Sequence, residues 1–288
     1  MRARDIIVSF LLLITLWRIS RTQAKRRLRQ AAINLCRGLL RLCGQRYIFK
    51  DGVTIIFSPH QDDETIGCGG LIARKRHEGL PLHVVFITDG SLSHPEHPEL
   101  TPADIASLRR TEAFQALAIL GVESSAVHFL DERDGSLKSL GPTQRDVLVG
   151  KLTALIDDLR PGEIFLPCHH DGSDEHSATF TCIRDAVLHS SHRPEVWQYP
   201  VWAWWKPHFL LANLFLSREV RRLPMEDFQA AKFCALACYR SQVQPTPPWI
   251  ASVLPVELQA PGDFPEEYFF RFTLPAPARN REAKPPAI

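Results

Sequence analysis

Between residues 53 and 190, short apolar runs alternate with longer segments whose apolar positions recur at helical spacing. Val53–Ser58 (VTIIFS) is a β-branched run, and Glu64–Gly79 after it is predicted as a helix closed by glycine. Leu82–Thr88 (LHVVFIT) is the next strand and Pro102–Leu120 the next helix, stopped by Gly121. Ala126–Leu130, Gln144–Leu159, Glu163–Pro167 and His176–His189 continue the series as strand, helix, strand and helix. Strands alternating with helices of this length predict βαβ units. The fold class expected is therefore α/β: a Rossmann-like three-layer fold with a mainly parallel sheet, plus an N-terminal basic and apolar helix. Past residue 195 the alternation breaks down. Glu226–Gln242 is predicted helical, Pro245–Pro255 a proline-rich connection and Glu266–Phe272 a last strand. The organisation expected is an arm over 1–50, a domain over 51–274 and a disordered tail over 275–288. Within the domain, the motif core is 52–190 and 195–274 is an aromatic extension.

Charge separates the arm from the domain. The whole chain has a net charge of +2, yet residues 1–50 carry twelve Lys/Arg against Asp5 alone, so the other 238 residues sum to −9. Ile6–Trp17 is nearly all apolar and is followed by Arg18, Arg21, Lys25, Arg26, Arg27 and Arg29. No small-residue cleavage site follows it, against a signal peptide. It is also short for a spanning helix. An anchor lying at an anionic membrane surface through residues 1–30 is favoured over an ordinary helix packed on the domain. The acidic body argues against nucleic acid. With 45% apolar and 23% charged residues the chain can bury a core, which excludes disorder, collagen and coiled coil. Seven cysteines without CxxC spacing read as free thiols in a reducing, cytoplasmic setting, with Cys234 and Cys238 as small buried hydrophobes.

Ligands of an open parallel sheet bind beyond the carboxyl ends of its strands, so the candidate chemistry lies in the residues just past each strand end. The first strand leads to Pro59-His60-Gln61-Asp62-Asp63-Glu64 and the second to Asp89-Gly90-Ser91. The third leads to Asp131-Glu132-Arg133-Asp134-Gly135, and the fourth to His169-His170-Asp171-Gly172-Ser173-Asp174-Glu175-His176. Four strand ends thus bring histidines and carboxylates to one edge. His60 and Asp63, three apart at a helix entry, can face one point, and His176 can supply a third ligand. Two imidazoles and one carboxylate leave coordination positions open, as in catalytic zinc sites, and the same set suits iron(II). Such a metal activates water and polarises a carbonyl oxygen. Asp62, between two ligands, is placed to accept the proton of that water. Glu64 reads as acidic decoration of a helix N-terminus. Gly67-Cys68-Gly69-Gly70 lacks dinucleotide spacing and reads as close helix–sheet packing.

At these residues the sequence resembles the PIG-L/LmbE-like family of zinc-dependent N-deacetylases. Pro59–Glu64 with Gly67–Gly70 is similar to its first signature, and Arg109-Arg110-Thr111-Glu112 leading to Leu120-Gly121-Val122 to its R-x-x-E…L-G helix. Asp134-Gly135, Tyr199–Trp205 and Tyr239–Gln242 also match family features, and the resemblance covers about residues 52–190. It implies His60, Asp63 and His176 as zinc ligands, Asp62 as general base, and sugar contacts from Arg109 and Asp134. The family's second signature reads H-P-D-H, whereas this chain has Ser173-Asp174-Glu175-His176. His170 or His169, just upstream, or the Ser173 hydroxyl is then expected to stabilise the oxyanion or protonate the leaving amine.

The expected function is metal-dependent hydrolysis of the N-acetyl amide of an N-acetylglucosamine-type sugar conjugate or glycolipid, at the cytoplasmic face of a membrane. The alternative is a sugar-binding protein on a catalytically weakened scaffold, motivated by Ser173. Trp197, Tyr199, Trp202, Trp204 and Trp205 crowd into nine residues. They read as core or as a lid stacking on the sugar, with the lid favoured.

Overall fold

The computed structural model describes residues 24–255 and 265–274. Ile6–Trp17, the first part of the basic run and the tail over 275–288 lie outside the described residues. A first helix, α1, covers 24–43. The strands are β1 (Gln45–Arg46), β2 (Thr54–Ser58), β3 (Leu82–Thr88), β4 (Val127–Glu132), β5 (Glu163–Pro167), β6 (Glu195–Tyr199), β7 (Val220–Pro224) and β8 (Glu266–Phe272). The remaining helices are α2 (Asp63–His77), α3 (Pro102–Ile119), α4 (Pro142–Leu159), α5 (Asp174–His189), α6 (Pro207–Leu216), α7 (Gln229–Leu236) and α8 (Arg240–Val243).

All eight strands form one sheet, ordered β1-β7-β8-β6-β5-β2-β3-β4. β2 is flanked by β3 and β5, and β4 and β6 extend this block, every pairing parallel. Only β8 runs antiparallel to its neighbours, β6 and β7. The mainly parallel three-layer α/β fold read from the sequence is the fold observed. Alternation along β2 shows why layers form on both faces: Ile56 packs in one core with α2 and α3, while Ile55 and Phe57 pack in another with α4 and α5.

The region beyond residue 195 differs from the sequence reading. It supplies two strands, β6 and β7, and α6 besides the expected last strand. The helix expected over Glu226–Gln242 is divided: a 3₁₀ turn at Glu226–Phe228, α7, then α8 after a break at 237–239. The break lets Tyr239 Oη donate to Glu64 (2.5 Å) and Ser241 donate through N and Oγ to Glu112 (2.8 and 2.7 Å), so tertiary contacts override helix propensity. Two of the four tryptophans are core rather than lid. Trp197 and Trp204 are core residues, Trp202 packs half-buried against the same core as Trp197, and the guanidinium of Arg29 lies over Trp205. Cys234 is exposed and Cys238 half-buried, because α7 turns its other face inward.

The glycines of α2 serve close packing, as expected, against the C-terminal region. A Cβ on Gly67 would overlap the ring of Tyr199, which is fully buried and whose hydroxyl donates to Phe57 O (2.8 Å). Gly67→Ala adds about 1 kcal/mol of helix propensity, yet it forces a clash with a ring that cannot retreat, which costs about 1–3 kcal/mol or more. A lower unfolding midpoint in urea or on heating is expected; an unchanged or higher midpoint would mean that the ring yields.

Candidate active site

The turn from β2 into α2 brings three acidic side chains in succession to the sheet edge, and each has a different partner. Asp62 precedes the helix with φ 150° and ψ −29°, a conformation L-residues rarely adopt. Side chains from two helices, α2 and α3, hold it there. The Asp62 N–H donates to Glu64 Oε2 (3.0 Å), Arg109 Nη2 donates to Gln61 O (2.5 Å), and the same Nη2 lies 3.3 Å from Asp62 Oδ2. Glu64 is thus no surface decoration. It is fully buried, accepts from Thr65 Oγ1 and Tyr239 Oη (2.5 Å each), and burial raises its pKa. Its partner Tyr239 comes from the far end of the chain, so α2's acidic first turn is an interior network.

Asp63 Oδ2 sits between two imidazoles, 3.1 Å from His60 Nδ1 and 3.3 Å from His176 Nε2. His176 arrives on the first turn of α5, where Ser173 Oγ accepts from the His176 N–H (3.4 Å) as the helix cap. Asp171, completely buried, lies 2.6 Å from His176 Nδ1 and also accepts from the N–H groups of Val201, Trp202 and Ala203 (2.8–3.0 Å). A neutral His176 therefore carries its proton on Nδ1 and turns the Nε2 lone pair toward Asp63 Oδ2. That buried Nε2 has no hydrogen bond among the described residues. Two acceptors facing each other at this distance repel unless a proton or a metal cation lies between them, and the two imidazoles and carboxylate of His60, Asp63 and His176 are a donor set that fits a divalent metal.

The electrostatics agree. Burial alone would lower the pKa of His60, but hydrogen bonds to Asp134 and Asp63 outweigh it and raise it to about 10. Burial is likewise outweighed at His176, where Asp63 and Asp171 raise the pKa to about 9. Burial acts upward on Asp63, yet His176 and His60 hold it well below the usual carboxylate range. Burial lifts Asp62 to about 7 against the opposing charge of Arg109. The carboxylates thus draw positive charge into the cluster, as a metal site requires.

The residues expected to contact sugar also meet here. Arg109 is buried against Asp62 and Gln61. Asp134 lies 3.1 Å from His60 Nε2 and accepts from Leu92 N (3.0 Å). Glu175, which the sequence reading left without a role, lies beside them: one oxygen accepts from Leu137 N (3.1 Å), while Oε2 is buried without a partner among the described residues. His170 is placed elsewhere. It is exposed, its ring packs against His169, and both line a separate cavity of about 770 Å³ with Phe180, Arg184 and Arg218. None of His60, Asp62, Asp63 or His176 lines that cavity. The sequence reading also missed Asp171. Its place in a strand-end loop between two histidines was the available signal.

Residues 55–187 match the family model described as GlcNAc-PI de-N-acetylase (PIG-L). Over 113 residues the chain is 31% identical to the diacetylchitobiose deacetylase of Thermococcus kodakarensis, an alignment covering 39% of this chain and 39% of that relative's length. The N,N'-diacetylchitobiose deacetylase of Pyrococcus horikoshii shares the fold at a TM-score of 0.54 and 20% identity, over 73% of this chain and 78% of that one. So does the 4-carboxy-2-hydroxymuconate hydratase of Pseudomonas putida KT2440, at a TM-score of 0.54 and 20% identity, over 66% and 80%. A deacetylase and a hydratase on one fold leave the choice of reaction to the site.

Proposed function

Residues 55–187 match the PIG-L family model, and from that match we propose that this protein hydrolyses the N-acetyl amide of an N-acetylglucosamine-type sugar conjugate, releasing acetate and a free amine. The observation that carries the reading is Asp63 Oδ2 between the two imidazoles, with the Asp62 carboxylate held beside it by Arg109. His60, Asp63 and His176 hold the metal, zinc in the first instance, with iron(II) suited to the same ligands. When bound, that metal supplies Lewis-acid polarisation of the amide carbonyl and activation of water.

The remaining work falls to the side chains. Asp62 accepts a proton from the attacking water as the new C–O bond forms. The C–N bond then breaks, and Asp62 returns the proton to the departing nitrogen, so that one water is consumed and amine and acetate leave. Arg109 acts on Asp62, aiming the carboxylate and favouring its charged form. Asp134 braces His60, and with the unpartnered Glu175 Oε2 it presents the polar edge that receives the sugar hydroxyls. His170 has no step in this scheme, since it opens onto the other cavity. The substrate's place at a cytoplasmic membrane surface belongs to the same proposal, through the basic N-terminal arm.

The test is acetate release from a panel of N-acetylglucosamine conjugates by metal-loaded protein, with and without a chelator. Release that chelation abolishes and added metal restores is the expected result; release indifferent to chelation would overturn the metal-dependent scheme. Ser173, engaged as a helix cap, favours a second reading, a sugar-binding protein without turnover. Saturable sugar binding by metal-loaded protein, with no acetate from any conjugate, would select it.

A further inference from the structure

Helix α1 is apolar on two sides, and only one of them faces the body. Ile33, Cys36 and Leu40 are buried in a core with Trp204, Leu210 and Phe270. On the other side Leu28, Leu35 and Leu42, seven residues apart, are 72%, 66% and 85% exposed. A spacing of seven keeps side chains on one helical face. The stripe does not end with the helix. Leu39 and Cys43 line a shallow cavity of about 330 Å³ together with Leu214 and Phe215 of α6, and Phe215 is itself 80% exposed. Apolar surface therefore runs continuously from α1 onto the tip of α6, and contiguous patches of this kind mark interaction sites.

Charge indicates the occupant. Residues 24–50 contain eight Lys/Arg and no acidic residue. Lys25, Arg26 and Arg27 are exposed at the end of α1 where the stripe begins. Arg41 and Arg46 toward its other end pair with Glu266 and Glu226 of the body, so the free positive charge is concentrated near Leu28. A leucine stripe with a cationic margin is the pattern of a helix lying in the interface of an anionic bilayer. In the sequence the apolar run Ile6–Trp17 lies directly upstream, a second membrane signal of the sort stable anchoring needs. Among the described residues no helix is long and apolar enough to cross a membrane, which is consistent with a helix that lies on one. We infer that the outer face of α1, continued by Phe215 of α6, is a docking surface for an anionic lipid bilayer. This inference rests on the proposed sugar hydrolysis only for what it implies about substrate, a sugar carried on a lipid; the surface itself stands apart from turnover.

The test is co-sedimentation of the full chain with phosphatidylcholine vesicles and with vesicles containing about one third phosphatidylglycerol. The protein should partition onto the anionic vesicles and leave them as salt rises. Leu35→Glu with Leu42→Glu, both at exposed positions, should lower that partition at least about tenfold. Circular dichroism and acetate release from a water-soluble conjugate should be unchanged in the double variant, which separates failure of this surface from failure of the deacetylase reading. No partition by the wild type overturns the inference. So does partition undiminished in the double variant, which would give the binding to residues 6–17 alone. A concentration-dependent dimer that the double variant abolishes, without vesicle binding, would assign the face to a second copy of the chain.

Discussion

Asp62→Asn is expected to lower the turnover of acetate release by about 10²–10⁴-fold while leaving the metal content of the purified protein unchanged. The substitution is close to isosteric, and asparagine tolerates unusual backbone conformations about as well as aspartate, so the φ of 150° at this position should survive. The Asp62 N–H bond to Glu64 and the Arg109 bond to Gln61 O do not involve the altered group. What disappears is the acceptor that takes the proton from water and returns it to nitrogen. Metal analysis alongside kinetics makes the result decisive. A variant that loses metal together with activity would mean that Asp62 serves the ligand set, and a variant that keeps full turnover would remove the proposed base.

Asp171→Asn should weaken metal binding about 10–100-fold, measured by competition with a chromogenic chelator, without any reference to turnover. The effect is transmitted by the tautomer of His176. Asp171 Oδ1 accepts from Val201 and Ala203, and Oδ2 faces Trp202 N and His176 Nδ1. Asparagine keeps the first pair of bonds with its carbonyl oxygen, which turns its NH₂ toward His176 Nδ1. That nitrogen must then accept, the proton moves to Nε2, and the lone pair needed by the metal is lost. Trp202 N loses its acceptor at the same time, so tryptophan fluorescence should change in the metal-free variant. Asp171→Ala should in addition destabilise the fold, since the buried N–H groups of Val201 and Ala203 then lack partners at about 1–3 kcal/mol each. Unaltered metal affinity in Asp171→Asn would show that His176 is oriented by packing alone.

The two parts of the chain differed in how far their patterns could be read. β3, β5 and β8 occur at the limits predicted because each is a short apolar or alternating run between breakers, a local property. His60, Asp63 and His176 could be grouped because strand ends of a parallel sheet converge on one edge whatever else the fold does. The roles of Glu64 and Asp171 were not legible in that way. Glu64 sits where acids ordinarily favour a helix dipole, and only a tyrosine 175 residues later turns it inward. Asp171 satisfies mainly backbone N–H groups, which leave no mark in residue type or spacing. β7 was hidden by Arg221 and Arg222, whose charge reads as surface although the strand pairs on both sides. The tryptophan cluster misled for a related reason: aromatic side chains suit a ligand platform and a core equally, and burial decides which.

β8 adjoins β6 and β7, yet among the described residues it is the last strand in chain order. Its neighbouring residues Glu266 and Glu267 bind in different directions. Glu266 holds Arg41 of α1 and Arg222 of β7, and Glu267 accepts from Gly70 and Leu71 of α2 while pairing with the buried Lys232 of α7. On the ribosome, therefore, the helix that opens with Asp63 is synthesised early but is gripped at its middle only when residues 266–272 emerge. Until then no strand joins β7 to the parallel block. A nascent chain arrested before residue 266 should remain open to protease over the turn that carries Asp62, and the emergence of residues 266–272 should be the event that closes it.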